Sequence, residues 1–298
     1  QDVSQARQRL AAMRQVVDLV LDHENNWQSR WLAFTPEVNA LERDLKAAYV
    51  ATVKIFLSRQ SAYGDRFNKL LVDQNSPLYA DAILTITRNY NKSQASLRGA
   101  SSYDQLLKMP GTPLEVLQAL DSVLTPEVKA GFDRMVSAYF AWDDLDDDLV
   151  GGSPLDLETL SKAVFAPGQM PWLLSWADTR SGIPAVTLNE FWLPGSLSSS
   201  GVKIRPAFTR AGELRIQEFL QELSLAFKDS PEFVAKRKSF ESWYQAERVN
   251  VWYTFASTFS EGDSLLVSEQ LWREMVRRVN KDNSPYYTLI GRLRSEFE

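Results

Sequence analysis

The sequence predicts a mainly α protein, a multi-helix elongated bundle with one short β excursion around residues 184–208. Three observations lead there. Ser/Thr-Pro pairs recur at Thr35-Pro36, Ser76-Pro77, Thr112-Pro113, Thr125-Pro126, Ser153-Pro154, Ser230-Pro231 and Ser284-Pro285. The hydroxyl residue suits an N-cap, where its oxygen accepts from a free N–H of the first turn. Proline suits the first helical position, which needs no N–H. Between these starts, apolar residues recur at spacings of three and four, the period of a helix with one buried face. Only near Val202-Lys203-Ile204-Arg205 do they alternate with basic residues instead, the period of a half-buried strand.

Taken in order, the first expected helix carries Met13, Val16, Val20, Trp27, Trp31 and Phe34 on one stripe. The second carries Val38, Leu41, Leu45, Ala48, Tyr49, Thr52 and Phe56. Thr112 with Glu115 reads as a capping box. Loops are expected near Gly99–Ser102, at Met109–Gly111 and from Val150 to Pro154. The longest irregular stretch is expected from Pro167 to about Gly201, where Pro, Gly and Ser concentrate. Pro206 cannot donate to a ladder, so the strand before it is short or lies on an edge. Thr209 is then placed to cap a helix from about Arg210 to Phe227, with Ile216, Phe219, Leu220, Leu223 and Phe227 on its stripe. Phe208 and Ile204 are expected to anchor the strand against that helix. These signals divide the chain into an N-terminal helical region (1–110), a helical region with the β insertion (111–229), and C-terminal helices (230–298).

Composition excludes several classes of function. The 298 residues are 44% hydrophobic and 24% charged, as in a core-forming domain. A net charge of −5 gives no basic footprint for nucleic acid, and the runs Lys236-Arg237-Lys238 and Arg277-Arg278 read as solvated helix faces. With no cysteine there is neither a disulfide framework nor a thiolate metal site. That absence suits an oxidising compartment, as it suits many cytosolic domains. No run reaches the roughly 18 apolar residues of a membrane span. The opening at Gln1, inside a helical pattern, reads as the start of a piece of a longer protein.

The segment Val202-Lys-Ile-Arg-Pro-Ala-Phe-Thr-Arg-Ala-Gly212 resembles the VPxAFTxxG signature of the IcmF/TssM proteins, the inner-membrane scaffold subunits of bacterial type VI secretion systems. Trp252-Tyr-Thr-Phe-Ala-Ser-Thr-Phe-Ser-Glu-Gly262 and Asn283-Ser-Pro-Tyr-Tyr-Thr-Leu289 are similar to two further motifs that follow in the same order in that family. The resemblance runs from about Val186 to Leu293. This chain has Ile-Arg-Pro where the family often has Val-Pro, so the backbone leading into the strand differs locally. The resemblance implies a periplasmic segment with membrane spans upstream, no cofactor and no enzymatic activity. It also implies self-association, with the subunits TssL and TssJ as partners, although TssJ contacts a region C-terminal to segments like this one. Trp192, Lys203, Ile204, Pro206, Phe208, Thr209, Gly212, Pro285 and Tyr286 are its signature positions here, as structural or interface residues.

The residues offer rival chemistries. Asp143, Asp144 and Asp147, in Trp142-Asp-Asp-Leu-Asp-Asp-Asp148, have the DDxxD spacing with which all-α prenyl and terpene synthases hold Mg²⁺ against a diphosphate. The alternative function is therefore an all-α Mg²⁺-dependent diphosphate-processing enzyme using the Asp143–Asp148 cluster. Such an enzyme needs a second acidic motif on a facing helix, and none is found; a solvated acidic helix end before Gly151-Gly152 is the plainer reading. An EF-hand fails because its Gly and Glu positions, 149 and 155, are both Leu. The single His23 reads as partly buried rather than as a zinc ligand. Glu247, on a face with Trp243, Tyr244 and Val251, reads as the partner of Arg248 or Arg210 rather than as a general acid. Among the nine Trp residues, Trp172, Trp176 and Trp192 lie in or beside the irregular stretch, and Trp172 and Trp176 are the candidate exposed contacts.

Overall fold

The computed structural model describes residues 8, 12, 15–20, 36–58, 61–97, 102–120, 126–143, 157–166, 170–180, 182–194, 202–228, 230–279 and 284–298. Residues 15–20 are helical. The elements that follow are α1 (Pro36–Leu57), α2 (Ala62–Leu70), α3 (Pro77–Leu97), α4 (Tyr103–Lys108), α5 (Leu114–Leu120), α6 (Pro126–Trp142), α7 (Leu157–Val164) and α8 (Pro171–Arg180). Next come β1 (Val186–Thr187), α9 (Leu188–Trp192), β2 (Lys203–Ile204), a 3-10 turn (Pro206–Phe208) and α10 (Arg210–Ala226). The chain closes with α11 (Pro231–Ser257), a 3-10 segment (Phe259–Leu265), α12 (Glu269–Val279) and α13 (Pro285–Phe297). The fold is mainly α, and the two strands among the described residues form one antiparallel pair, Val186 opposite Ile204 and Thr187 opposite Lys203.

Five of the Ser/Thr-Pro pairs start a helix at the proline: Pro36, Pro77, Pro126, Pro231 and Pro285. Ser230 Oγ accepts from Phe233 N–H at 3.2 Å and Ser284 Oγ from Tyr287 N–H at 3.3 Å, the expected N-cap bonds. The helix after Thr112-Pro113 begins at Leu114, and the reciprocal capping box is found at Ser102 and Gln105 instead. Ser153-Pro154 lies outside the described residues.

The chain forms two compact units in place of the three expected regions. One unit is residues 1–167 with 222–228, and the other is 168–221 with 229–298. The sequence-based borders at 110 and 229 missed this because the chain returns: α10 gives residues 210–221 to the second unit, and its last residues belong to the first.

The core of the first unit gathers Tyr49, Val53 and Leu57 of α1 with Phe132, Met135, Val136, Tyr139 and Phe140 of α6, together with Val17, Leu106 and Leu117. On α1 the buried line is thus Tyr49-Val53-Leu57 at i, i+4 and i+8. The expected stripe is off by part of a turn, since Leu41, Ala48 and Thr52 are exposed. Alanine and threonine added apolar weight to the wrong side of a helix that is alanine-rich on its solvent face. In the expected irregular stretch, Pro171 starts the ten-residue helix α8, preceded by Met170 in the left-handed region at φ 49°. No Ser/Thr marks that start, so the sequence reading missed it. Met13, Trp27, Trp31, Phe34, Val38 and His23 lie outside the residues whose side chains are described.

Candidate functional site

The second unit is built around the turn Arg205-Pro206-Ala207-Phe208-Thr209. Thr209 is extended (φ −85°, ψ 161°) and is almost wholly buried. Its Oγ1 donates to Pro206 O at 2.8 Å and accepts from Gly212 N–H at 3.1 Å, so it closes the turn and caps α10 together. Gly212 is required there, because a Cβ would stand 2.0 Å from Pro206 O.

Helix α11 takes hold of the carbonyls that this turn leaves free. Tyr244, Arg248 and Trp252 lie one turn apart on the same face. Tyr244 Oη donates to Ala207 O at 2.5 Å, Trp252 Nε1 to Phe208 O at 3.0 Å, and Arg248 Nε to Phe208 O at 3.3 Å. The Phe208 ring stacks on Tyr244 at 5.9 Å and 14°, and β2 packs against α11. The strand and turn are thus anchored on the following helix α11, beyond the α10 helix that the sequence pointed to. Burial pushes the Tyr244 hydroxyl up from its ordinary range, partly opposed by the Arg248 guanidinium. Asp178 fixes the other side of the turn, accepting from Ala207 N–H at 2.9 Å and from Arg205 Nε at 2.6 Å.

Arg248 is buried with two carboxylates. Its Nη1 lies 2.5 Å from Glu213 Oε2 and its Nη2 3.4 Å from Glu296 Oε2, while Nη2 also donates to Glu296 O at 2.5 Å. Of the two partners expected for Glu247, Arg248 thus turns instead to Glu213 and Glu296. Glu296 Oε2 also accepts from the backbone N–H of Arg210, the first residue of α10. A carboxylate 86 positions away thereby satisfies a helix N-terminus and meets its dipole. Arg292 Nε stands 3.0 Å from Glu296 Oε1, close enough for an ion pair though not aligned as a hydrogen bond.

A second knot gathers the aromatic motifs. Trp192 Nε1 donates to Phe259 O at 3.1 Å, and its ring meets Phe259 at 5.6 Å and Tyr286 at 5.9 Å. Gly262 is needed because a Cβ would come within 2.2 Å of the Trp192 ring. Beside the indole lies a cleft of about 520 Å³ lined by Trp192, Leu193, Pro194, Leu271, Glu274, Met275 and Arg278.

The signature positions therefore fall mostly inside the unit. Trp192, Ile204, Pro206, Phe208, Thr209 and Pro285 are buried, Lys203 is exposed, and Tyr286 is 52% exposed with its ring still against Trp192 and Phe259. Trp172 is buried and Trp176 half-buried, both with rings against Phe219. Neither is the exposed contact expected of it, because each lies on α8, a helix the sequence reading did not see. Arg248, Glu213, Glu296 and Tyr244 were not singled out as a group, although the i, i+4, i+8 spacing of Tyr244, Arg248 and Trp252 was visible.

Of the acidic cluster, Asp143 alone is described; Asp144 to Asp148 lie outside the described residues. Among the described residues no group of three or more His, Asp or Glu is arranged to hold a metal ion. Among the described residues of the first unit, Lys92 Nζ donates to Ser137 Oγ at 3.2 Å. Burial pulls the Lys92 ammonium below its ordinary range, partly opposed by the Asp133 carboxylate. A lowered lysine beside a serine is an arrangement able to activate a nucleophile. Here Ser137 is 0% and Lys92 1% exposed, so no substrate meets the hydroxyl. No known protein family, curated protein or solved structure matches the chain.

Proposed function

We propose that this chain is a periplasmic scaffold segment of an IcmF/TssM-like type VI secretion membrane complex and works by protein–protein association, not catalysis. The observation that supports this reading most is the mutual packing of the motif stretches that carry the resemblance. Residues around Trp192, around Phe208 to Gly212, from Trp252 to Gly262, and at Pro285-Tyr286 interlock within one unit. Each stretch is intelligible through the others, as expected of a signature that encodes a shared fold. Self-association and contact with TssL and TssJ belong to the same proposal. No helix among the described residues is long and apolar enough to cross a membrane.

The test is co-isolation. The tagged chain, joined to its native flanking sequence in the membranes of its host, is expected to bring down the other membrane-complex subunits. Deleting residues 168–298 is expected to abolish both that recovery and secretion. Recovery and secretion unchanged by the deletion would overturn the proposal.

A further inference from the structure

We infer that α13 is a strap held on the second unit mainly by charge, and that it releases as a unit of its own, uncovering Trp252 and Arg248. This inference does not rest on the proposed scaffold role.

The argument starts from what α13 buries. Among its thirteen residues only Pro285, Leu289 and Glu296 are buried. Tyr286, Tyr287, Ile290 and Phe297 remain between 46% and 62% exposed. Helix α11, by contrast, buries Phe233, Phe240, Tyr244, Trp252 and Phe255. Hydrophobic stabilisation scales with the apolar area removed from water, so α13 receives far less of it.

The far end of α13 is instead fixed by polar bonds. Glu296 meets Arg210 N–H and Arg248, while its carbonyl accepts from Arg248 and the Ser295 carbonyl accepts from Arg210 Nη1 at 3.1 Å. Half of these contacts run through the one carboxylate, and the other half pair an arginine with a main-chain carbonyl. Buried ion pairs of this kind are strongly weakened when one partner loses its charge. An element with few buried apolar contacts opens before the rest of its domain.

Opening has a specific consequence. The Phe297 ring lies 6.3 Å from Trp252 and 4.9 Å from the Arg248 guanidinium, and Tyr286 covers Trp192 and Phe259. Release of α13 bares those aromatic rings while the bonds from α11 to the turn carbonyls stay in place.

Native-state amide hydrogen exchange on the intact protein tests this. Amides of residues 288–293, in the middle of α13, are expected to exchange at least about tenfold faster than those of residues 240–255 in α11. Glu296→Gln is expected to widen that gap, accelerating 288–293 although they lie up to two turns from the substituted side chain. Equal protection of the two helices in the unmodified protein would overturn the inference. So would acceleration confined to residues 294–298, which is end fraying, or equal acceleration of α11. The unmodified protein decides the first outcome even if the variant fails to fold.

Discussion

Thr209 shows how one side chain closes two structures, donating back to Pro206 O and accepting from Gly212 N–H. Thr209→Ala should cost about 1 kcal/mol, as loss of a cap does, measured by urea denaturation. Gly212→Ala drives a methyl into the Pro206 carbonyl, and Gly262→Ala drives one into the Trp192 indole. Each should cost about 1–3 kcal/mol, as overpacking does. Gly262→Ala should in addition change indole fluorescence, because Trp192 must leave Phe259 O; an unchanged spectrum and midpoint would contradict the assigned packing. Tyr63 gives the opposite expectation. Its buried hydroxyl has no hydrogen-bond partner among the described residues, so Tyr63→Phe should be neutral or stabilising by up to about 1 kcal/mol. A clear loss of stability would show that the hydroxyl is satisfied. At this scale Thr209 was legible in the sequence, since capping is a local bond. Glu296 was not, because its partners Arg210 and Arg248 are distant in sequence and only the fold brings them together.

Helix starts were the most readable elements, and the reason is again local. A Ser/Thr-Pro pair satisfies two demands of a first turn with neighbouring residues, and Pro77, Pro231 and Pro285 each begin a helix. Helix α8 was missed because Pro171 lacks a hydroxyl before it and Met170 takes a left-handed backbone that nothing in its side chain announces. Helix α1 was found, but its buried face was misjudged, since alanine is apolar yet costs little to expose. The expected stripe is buried throughout: Ile216, Phe219, Leu220 and Leu223 on α10, and Phe227 just past its end. The Asp143–Asp148 stretch belongs to this scale too. Calorimetric titration with Mg²⁺ and a diphosphate should show no saturable heat if the proposed associative role is right. A micromolar signal abolished by Asp143→Ala would favour the enzyme.

Over the whole molecule, buried tyrosines dominate the response to alkali. Desolvation raises the hydroxyls of Tyr49, Tyr63, Tyr79, Tyr139 and Tyr244 above their ordinary value of 10.0. Above about pH 10 the unfolded chain loses these protons while the folded chain keeps them, so stability falls as pH rises. Lys92 acts in the opposite sense: its folded value lies below 10.5, so stability gains as pH climbs towards 10.5 and the charged form is no longer demanded. Tyr103 is raised in the same way and Lys236 lowered like Lys92. With six tyrosines against two lysines, the melting temperature should drop steeply above pH 10, and a flat profile to pH 11 would contradict the burial assigned to them. The larger division into two units was not legible, because the return of residues 222–228 to the first unit is written in long-range contacts such as the bidentate pair of Arg88 with Glu222 at 2.7 and 2.8 Å.

In the proposed scaffold the signature acts first as the interior of the fold, with any loss of association following loss of stability. Phe208 tests this most directly, since its ring is buried on Tyr244 while its carbonyl serves Trp252 and Arg248. The measurement is the urea unfolding free energy of Phe208→Ala against the unmodified chain. A loss of roughly 3–5 kcal/mol, the cost of emptying a buried phenylalanine site, is the predicted result. An unchanged unfolding free energy, in a variant that no longer associates with the membrane-complex subunits, would make Phe208 an exposed contact and contradict the account.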